Sequence, residues 1–137
     1  MDLSVIGHHL ERLDEQSTTG FRFQCFPISG DVEVLKVTVE GREELPLFIS
    51  VSDDQILCIS YLWDERQVDP GRRQAMLEAM LDMNIPMPLS AFARLDDWYV
   101  VFGALSLTSA LVDIEHELAV LSDNCLEVIE DMAEFLL

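Results

Sequence analysis

Apolar positions along the chain change period several times, and each change marks an element. Leu3, Ile6, Leu10 and Leu13 recur at spacings of three and four. That predicts a short amphipathic helix ending before Thr18-Thr19-Gly20. From Phe21 to Phe26 the pattern alternates, with Phe21, Phe23 and Cys25 on one side, as in a strand. Pro27 to Asp31 is a turn. Val32 to Val39 is a β-branched strand whose alternation slips between Val34 and Leu35, the mark of a bulge. Polar residues from Gly41 to Pro46 interrupt the pattern. Leu47–Val51 and Ile56–Trp63 then predict strands joined at Asp53-Asp54.

Asp69-Pro70 has the form of a helix start, an N-cap acid followed by proline at the first helical position. Met76, Leu77, Met80 and Leu81 make its apolar stripe, and Asn84, Pro86 and Pro88 end it. Leu89–Leu95 and Trp98–Leu105 predict a hairpin around Asp96-Asp97. The second strand is apolar on both faces, which places it inside a sheet. Ser106 or Thr108 is the expected cap of the last helix.

The order is therefore α-β-β-β-(β)-α-β-β-α. Adjacent strands joined by short turns form an antiparallel sheet, here of five or six strands. With helices on one face, the expected class is α+β, in one domain spanning residues 1–137.

The last helix repeats Leu111, Ile114, Leu118, Leu121, Cys125, Val128, Met132 and Phe135 at alternating steps of three and four, a heptad seam. Some 28 residues would run about 42 Å, against a domain diameter of roughly 35–40 Å. The helix is thus expected either to bend near Ser122-Asp123-Asn124 or to project. From Leu95 to Leu137 there are ten Asp/Glu and no Lys or Arg. Glu127, Glu130, Asp131 and Glu134 stack like charges close to a helix C-terminus, where the macrodipole disfavours them. An acidic face of that cost is a candidate partner surface. Trp63 and Trp98, each beside acids, are candidate anchors for a peptide with basic and apolar residues.

The whole chain is acidic: 26 Asp/Glu oppose 8 Lys/Arg, for a net charge of −18, and Lys36 is the single lysine. Such charge repels nucleic-acid phosphate and anionic lipid and favours cationic partners. Cys25, Cys58 and Cys125 are an odd count without a CxxC pair, which fits reduced thiols in a cytoplasmic protein. No signal-peptide pattern opens the chain. The apolar run Trp98–Leu105 is too short to span a bilayer.

Catalytic patterns are missing. The six glycines are too scattered for a phosphate loop. His8 and His9 point apart on a helix, and Glu115-His116-Glu117 lacks the second histidine of a zincin. Asp53-Asp54 and Asp96-Asp97 are turn residues. Arg72-Arg73 near a helix start could hold an anion, but a surface role suits them better in so acidic a chain. No enzyme, metal or cofactor is expected.

The stretches Met76–Leu107 (MLEAMLDMNIPMPLSAFARLDDWYVVFGALSL) and Cys125–Leu136 (CLEVIEDMAEFL) resemble the uncharacterised bacterial YjfI family. That family has no established activity. Its frequent gene neighbours, relatives of the phage-shock and vesicle-inducing membrane proteins, imply a cytoplasmic role in envelope maintenance. Element order and acidity also resemble class I type III secretion chaperones and YbjN-like proteins. These are acidic α+β dimers that bind extended segments of other proteins. The chain departs from them by an extra strand before the middle helix and a longer last helix. The expectation is a non-catalytic, chaperone-like adaptor that forms a homodimer and takes a protein partner with a basic or amphipathic segment. Alternatives are an acidic mimic of nucleic acid that occupies a DNA-binding protein, or a structural homo-oligomer.

Overall fold

A computed structural model describes residues 2–12 and 19–137. Leu13 and Thr18, expected at the end of the first helix, lie outside the described residues. The elements are α1 (Leu3–Glu11), β1 (Phe23–Ile28), β2 (Val34–Val39), β3 (Leu47–Val51), β4 (Ile56–Asp64), α2 (Arg73–Asn84), β5 (Ala91–Leu95), β6 (Trp98–Leu105) and α3 (Leu111–Met132). The six strands form one antiparallel sheet in the order β1-β2-β3-β4-β6-β5. The α+β class and the antiparallel sheet are as expected, and β6 is interior.

Helices α1 and α3 lie on one face of the sheet. Gly7 of α1 approaches Leu35 and Cys25, and Glu117 of α3 approaches Gly103. All three sheet positions share the parity of the buried Val37, Ile49, Cys58 and Val101. Ile114, Leu118, Leu121, Cys125, Val128 and Met132 of α3 fill the same core. Burying each such aliphatic side chain contributes about 1.5–3 kcal/mol, and this seam is why α3 stays down. Helix α2 adds Met76 and Met80 and covers the edge at β5, where the Phe92 N–H donates to Asn84 Oδ1 at 2.7 Å.

Several local expectations need correction. β1 runs on through Pro27 and Ile28, which the turn signal had claimed. Proline is tolerated there because β1 is an edge strand. The Cys25 N–H donates to Glu11 at 3.0 Å, away from β2. Pro27, two residues on, offers no donor to the same edge, so the edge is a poor template for another strand. β2 has no bulge and its register with β1 is unbroken. The slip at Val34 and Leu35 arises because both of its faces carry apolar residues. The bulge lies in β4, between Tyr61 and Trp63. Asp69-Pro70 opens a 3-10 turn, Pro70–Arg72, before α2 begins. Neither Ser106 nor Thr108 caps α3. Their hydroxyls bond each other at 2.9 Å, and Ala110 holds the N-cap position.

The last helix neither overruns the sheet nor projects. It has 22 residues, about 33 Å at the usual rise, and is continuous through Ser122-Asp123-Asn124. A 3-10 turn, Ala133–Phe135, follows it. The tail then pairs back: the Asp69 N–H donates to the Phe135 carbonyl at 3.0 Å, and the Leu137 N–H to the Gln67 carbonyl at 2.8 Å. Val68 and Leu136 form a β-bridge.

Candidate interaction surfaces

The structure separates the residues proposed from sequence. Trp63 is only 2% exposed and tilts against Tyr99 at 6.0 Å in the core. The bulge at Leu62 turns it inward, so it offers no anchor to a partner. Glu127, Glu130 and Asp131 are exposed along α3 and Glu134 in the 3-10 turn after it, on the helical side. Trp98 is 39% exposed and lies on the opposite face of the sheet. A single partner segment does not meet the acids and Trp98 together on one surface.

What surrounds Trp98 was not foreseen. Its ring meets Tyr61 edge-on at 5.8 Å, and Tyr61 meets Phe48 edge-on at 5.7 Å. These three rings stand on the face that α1 and α3 leave open. Register carries a row across the whole sheet there: Phe26, Lys36, Phe48, Ile59, Phe102 and Ala91. A second row runs Tyr61, Val100, Ala93. The one strand acid of this parity is Asp64, in register with Trp98 beyond the bulge, and it is buried and paired with Arg66 at 3.0 Å. A shallow groove of about 360 Å³ is lined by Ile28, Val34, Phe48, Ser50, Ile59 and Tyr61. Acids mark the two ends of the strands, at the turns Asp53-Asp54 and Asp96-Asp97. The sequence signal was present in the two-sided apolarity of β2 and β6. It belongs to a sheet with a core on one side and a contact surface on the other.

A second apolar surface follows α2. Leu77, Leu81 and Ile85 recur every four residues, with Leu81 69% and Ile85 90% exposed. Leu89 follows, exposed and at a φ of 61°, an uncommon conformation for a bulky side chain. The loop that carries it is anchored from below. The buried Asn124 amide donates to the Pro88 carbonyl and to Ser90 Oγ, both at 2.9 Å.

Polar groups in the core are structural. Glu65 accepts from the Tyr99 hydroxyl at 2.5 Å and pairs with Arg73, and these contacts hold its carboxyl below the usual range, the tyrosine bond first. The Arg42 guanidinium stacks on Phe21 at 4.7 Å and bonds Asp123 at 2.8 Å and Ser122 at 3.0 Å, pinning the β2–β3 loop to α3. Burial, before any nearby charge, pushes the Cys25 and Cys58 thiols up to about 12 and the Cys125 thiol up to about 11. Thiols so raised are not nucleophiles at neutral pH. Glu117 is buried against Gly103, and its Oε1 accepts no hydrogen bond. Burial raises its carboxyl above the ordinary range, with His116 opposing. Among the described residues, no three His, Cys, Asp or Glu side chains are grouped to hold a metal, and no helix is long and apolar enough to cross a membrane.

This fold has relatives. Residues 5–136 match the family described as an uncharacterized protein conserved in bacteria (DUF2170), and the chain belongs to that family. It is 43% identical over 53 residues to the uncharacterized protein YjfI of Escherichia coli K12. The match covers 36% of this chain and 40% of that protein. The same figures hold for YjfI of Escherichia coli O157:H7. The chain thus spans about 40% of the length of the curated relatives it matches. In fold it is similar to a chain in the heterodimeric ExoU–SpcU complex from the type III secretion system of Pseudomonas aeruginosa. The TM-score is 0.50 at 14% identity, over 77% of this chain and 80% of that one. The α+β architecture expected from the sequence, an antiparallel sheet with the element order α-β-β-β-β-α-β-β-α, is the one found, and it is similar to that chain's fold.

Proposed function

We propose that the protein is a non-catalytic, chaperone-like adaptor of the bacterial cytoplasm that binds an extended segment of another protein on the open face of its sheet. The observation that carries this reading is the face itself: two largely apolar rows and an aromatic trio, with no helix over them and a single strand carboxylate, Asp64, that is already paired with Arg66. A surface of this kind rejects water and gains from burial. The fold shared with a member of a heterodimeric secretion-system complex supports the same reading. Acids at both ends of the strands suit a segment whose flanks are basic.

The exposed α2 ridge favours a homodimer alongside this role. From Pro70 to Leu95 the charged residues are Arg72, Arg73 and Arg94 against Glu78 and Asp82, a locally balanced patch on a chain of −18. Two copies approach there with least repulsion.

A photo-crosslinking residue placed at Phe48, and separately at Glu127, tests the docking face in cells. The expected result is a discrete adduct with one other protein from position 48 and none from 127. Adducts from 127 alone would move the contact to the acidic helix and defeat the reading.

A further inference from the structure

Resting on that docking face, we propose that the bound segment carries a carboxylate among its apolar side chains, placed to meet Lys36. Lys36 is the single lysine of the chain. It is half-buried in the first row of the open face, in register between Phe26 and Phe48. Its Nζ lies 5.9 Å from the Phe26 ring centroid. Arg22, Arg42, Arg66, Arg72, Arg73 and Arg94 each lie within ion-pair distance of a carboxylate. Lys36 and Arg12 have no such partner among the described residues, and of the two only Lys36 stands in the open face, Arg12 being the C-cap of α1. An acid excess of 18 makes pairing easy, so an ammonium left without a carboxylate on a face whose one strand acid, Asp64, is taken by Arg66 is a vacant half of a pair.

Charge complementarity fixes the occupant. A polyanion would meet the field of the whole chain and be repelled. A single carboxylate flanked by apolar residues gains from Lys36 while its neighbours cover the aromatic trio. A second copy is the wrong guest: the one strand carboxylate of the same face, Asp64, is buried and paired with Arg66, and the copy adds another −18.

The test uses the full chain and three synthetic, tryptophan-free peptides of alternating apolar and serine residues. They are identical except for a central Glu, Gln or Lys. Binding is read from the emission of Trp98, which covering shifts to the blue, and Trp98→Phe confirms the source of the signal. The Glu peptide is expected to bind roughly two- to five-fold tighter than the Gln peptide, the range of a partly exposed ion pair, with the Lys peptide weakest. Lys36→Gln should erase the ranking and Lys36→Glu should invert it. Binding without a ranking, or a ranking that survives Lys36→Gln, overturns the inference and leaves the docking face standing. No binding by any of the three overturns both. A blue shift that grows with protein concentration alone, without peptide, assigns the face to a second copy and overturns the inference too.

Discussion

The two faces of the sheet are built from nearly the same residue types and put to different ends. On the helical face Val37, Ile49, Cys58 and Val101 vanish beneath α1 and α3. On the open face Tyr61 and Trp98 keep more than a third of their surface in water, and Phe48 beside Tyr61 is half-buried. Apolar composition therefore does not tell a core from a contact surface. What separates them is a seam: α3 supplies side chains at heptad spacing for one face, and no element of the described chain supplies a counterpart for the other.

The two tryptophans give the sharpest contrast. Both lie at one end of the β4–β6 pair, on opposite faces. Trp63→Ala should destabilise by about 3–5 kcal/mol, as for a large side chain removed from a packed core. The lower half of that range is expected, because the indole N–H is buried without an acceptor and its removal relieves a cost. Urea unfolding monitored by far-ultraviolet circular dichroism measures it. A loss below about 1 kcal/mol, the scale of an ordinary substitution, would break the contrast.

Next in size is the close approach of α3 to the sheet at Gly103. A Cβ at Gly103 would stand 1.8 Å from Glu117 Oε1 and 3.2 Å from the Leu89 carbonyl. Gly103→Ala should cost about 1–3 kcal/mol from overpacking. Adding Glu117→Ala should recover part of the loss, since one of the two obstacles is gone. Unfolding of the single and double variants checks the coupling, and simple additivity would refute it. Glu117 also sets a pH test. Its folded pKa is raised above the ordinary 4.5 by burial, so its contribution is whole below that value and is lost as pH rises through the folded pKa. Glu117→Gln should gain on the wild type as pH rises from 4.5, then level off. Asp64 and Glu65, lowered by their partners, act in the opposite sense on the acid side. The difference between the two proteins cancels them.

The legible parts of the molecule were those with a strong period. The α3 seam, the hairpin at Asp96-Asp97 and the interior place of β6 follow from apolar spacing alone. The missed parts depend on which neighbours are absent. Val34 and Leu35 look like a slipped register only if one face of β2 is taken as solvent-facing. Trp63 and Trp98 have the same acidic neighbours in sequence, and a one-residue bulge decides which of them is buried. The length of α3 was overestimated because Phe135 keeps the heptad phase after the helix has ended in a 3-10 turn. The acids near its end are exposed as the pattern implied, but nothing brings them to the open face.

The smallest expected change in stability is at Trp98. Its ring is held by the edge-on contact with Tyr61, a geometry that adds about 0.5–1.5 kcal/mol beyond area. With much of the ring already in water, Trp98→Ala should destabilise by an amount on that same scale, about 0.5–1.5 kcal/mol. A double-mutant cycle with Tyr61→Ala should find a coupling of about 0.5–1.5 kcal/mol. Binding should show the reverse order. An aromatic anchor on a docking surface is commonly worth about 2 kcal/mol or more, so the Glu-bearing peptide should lose roughly 30-fold or more in affinity to Trp98→Ala. Fluorescence anisotropy of a dye-labelled peptide follows this without relying on Trp98. Trp63→Phe, which keeps the core filled, should leave that affinity within about two-fold, under the ~0.5 kcal/mol scale of a residue remote from the contact. Equal losses of affinity at both tryptophans would mean that the open face responds to general loosening of the sheet rather than to direct contact. Stability lost at Trp63 and affinity lost at Trp98 would show that one strand pair carries a core on one side and a recognition surface on the other.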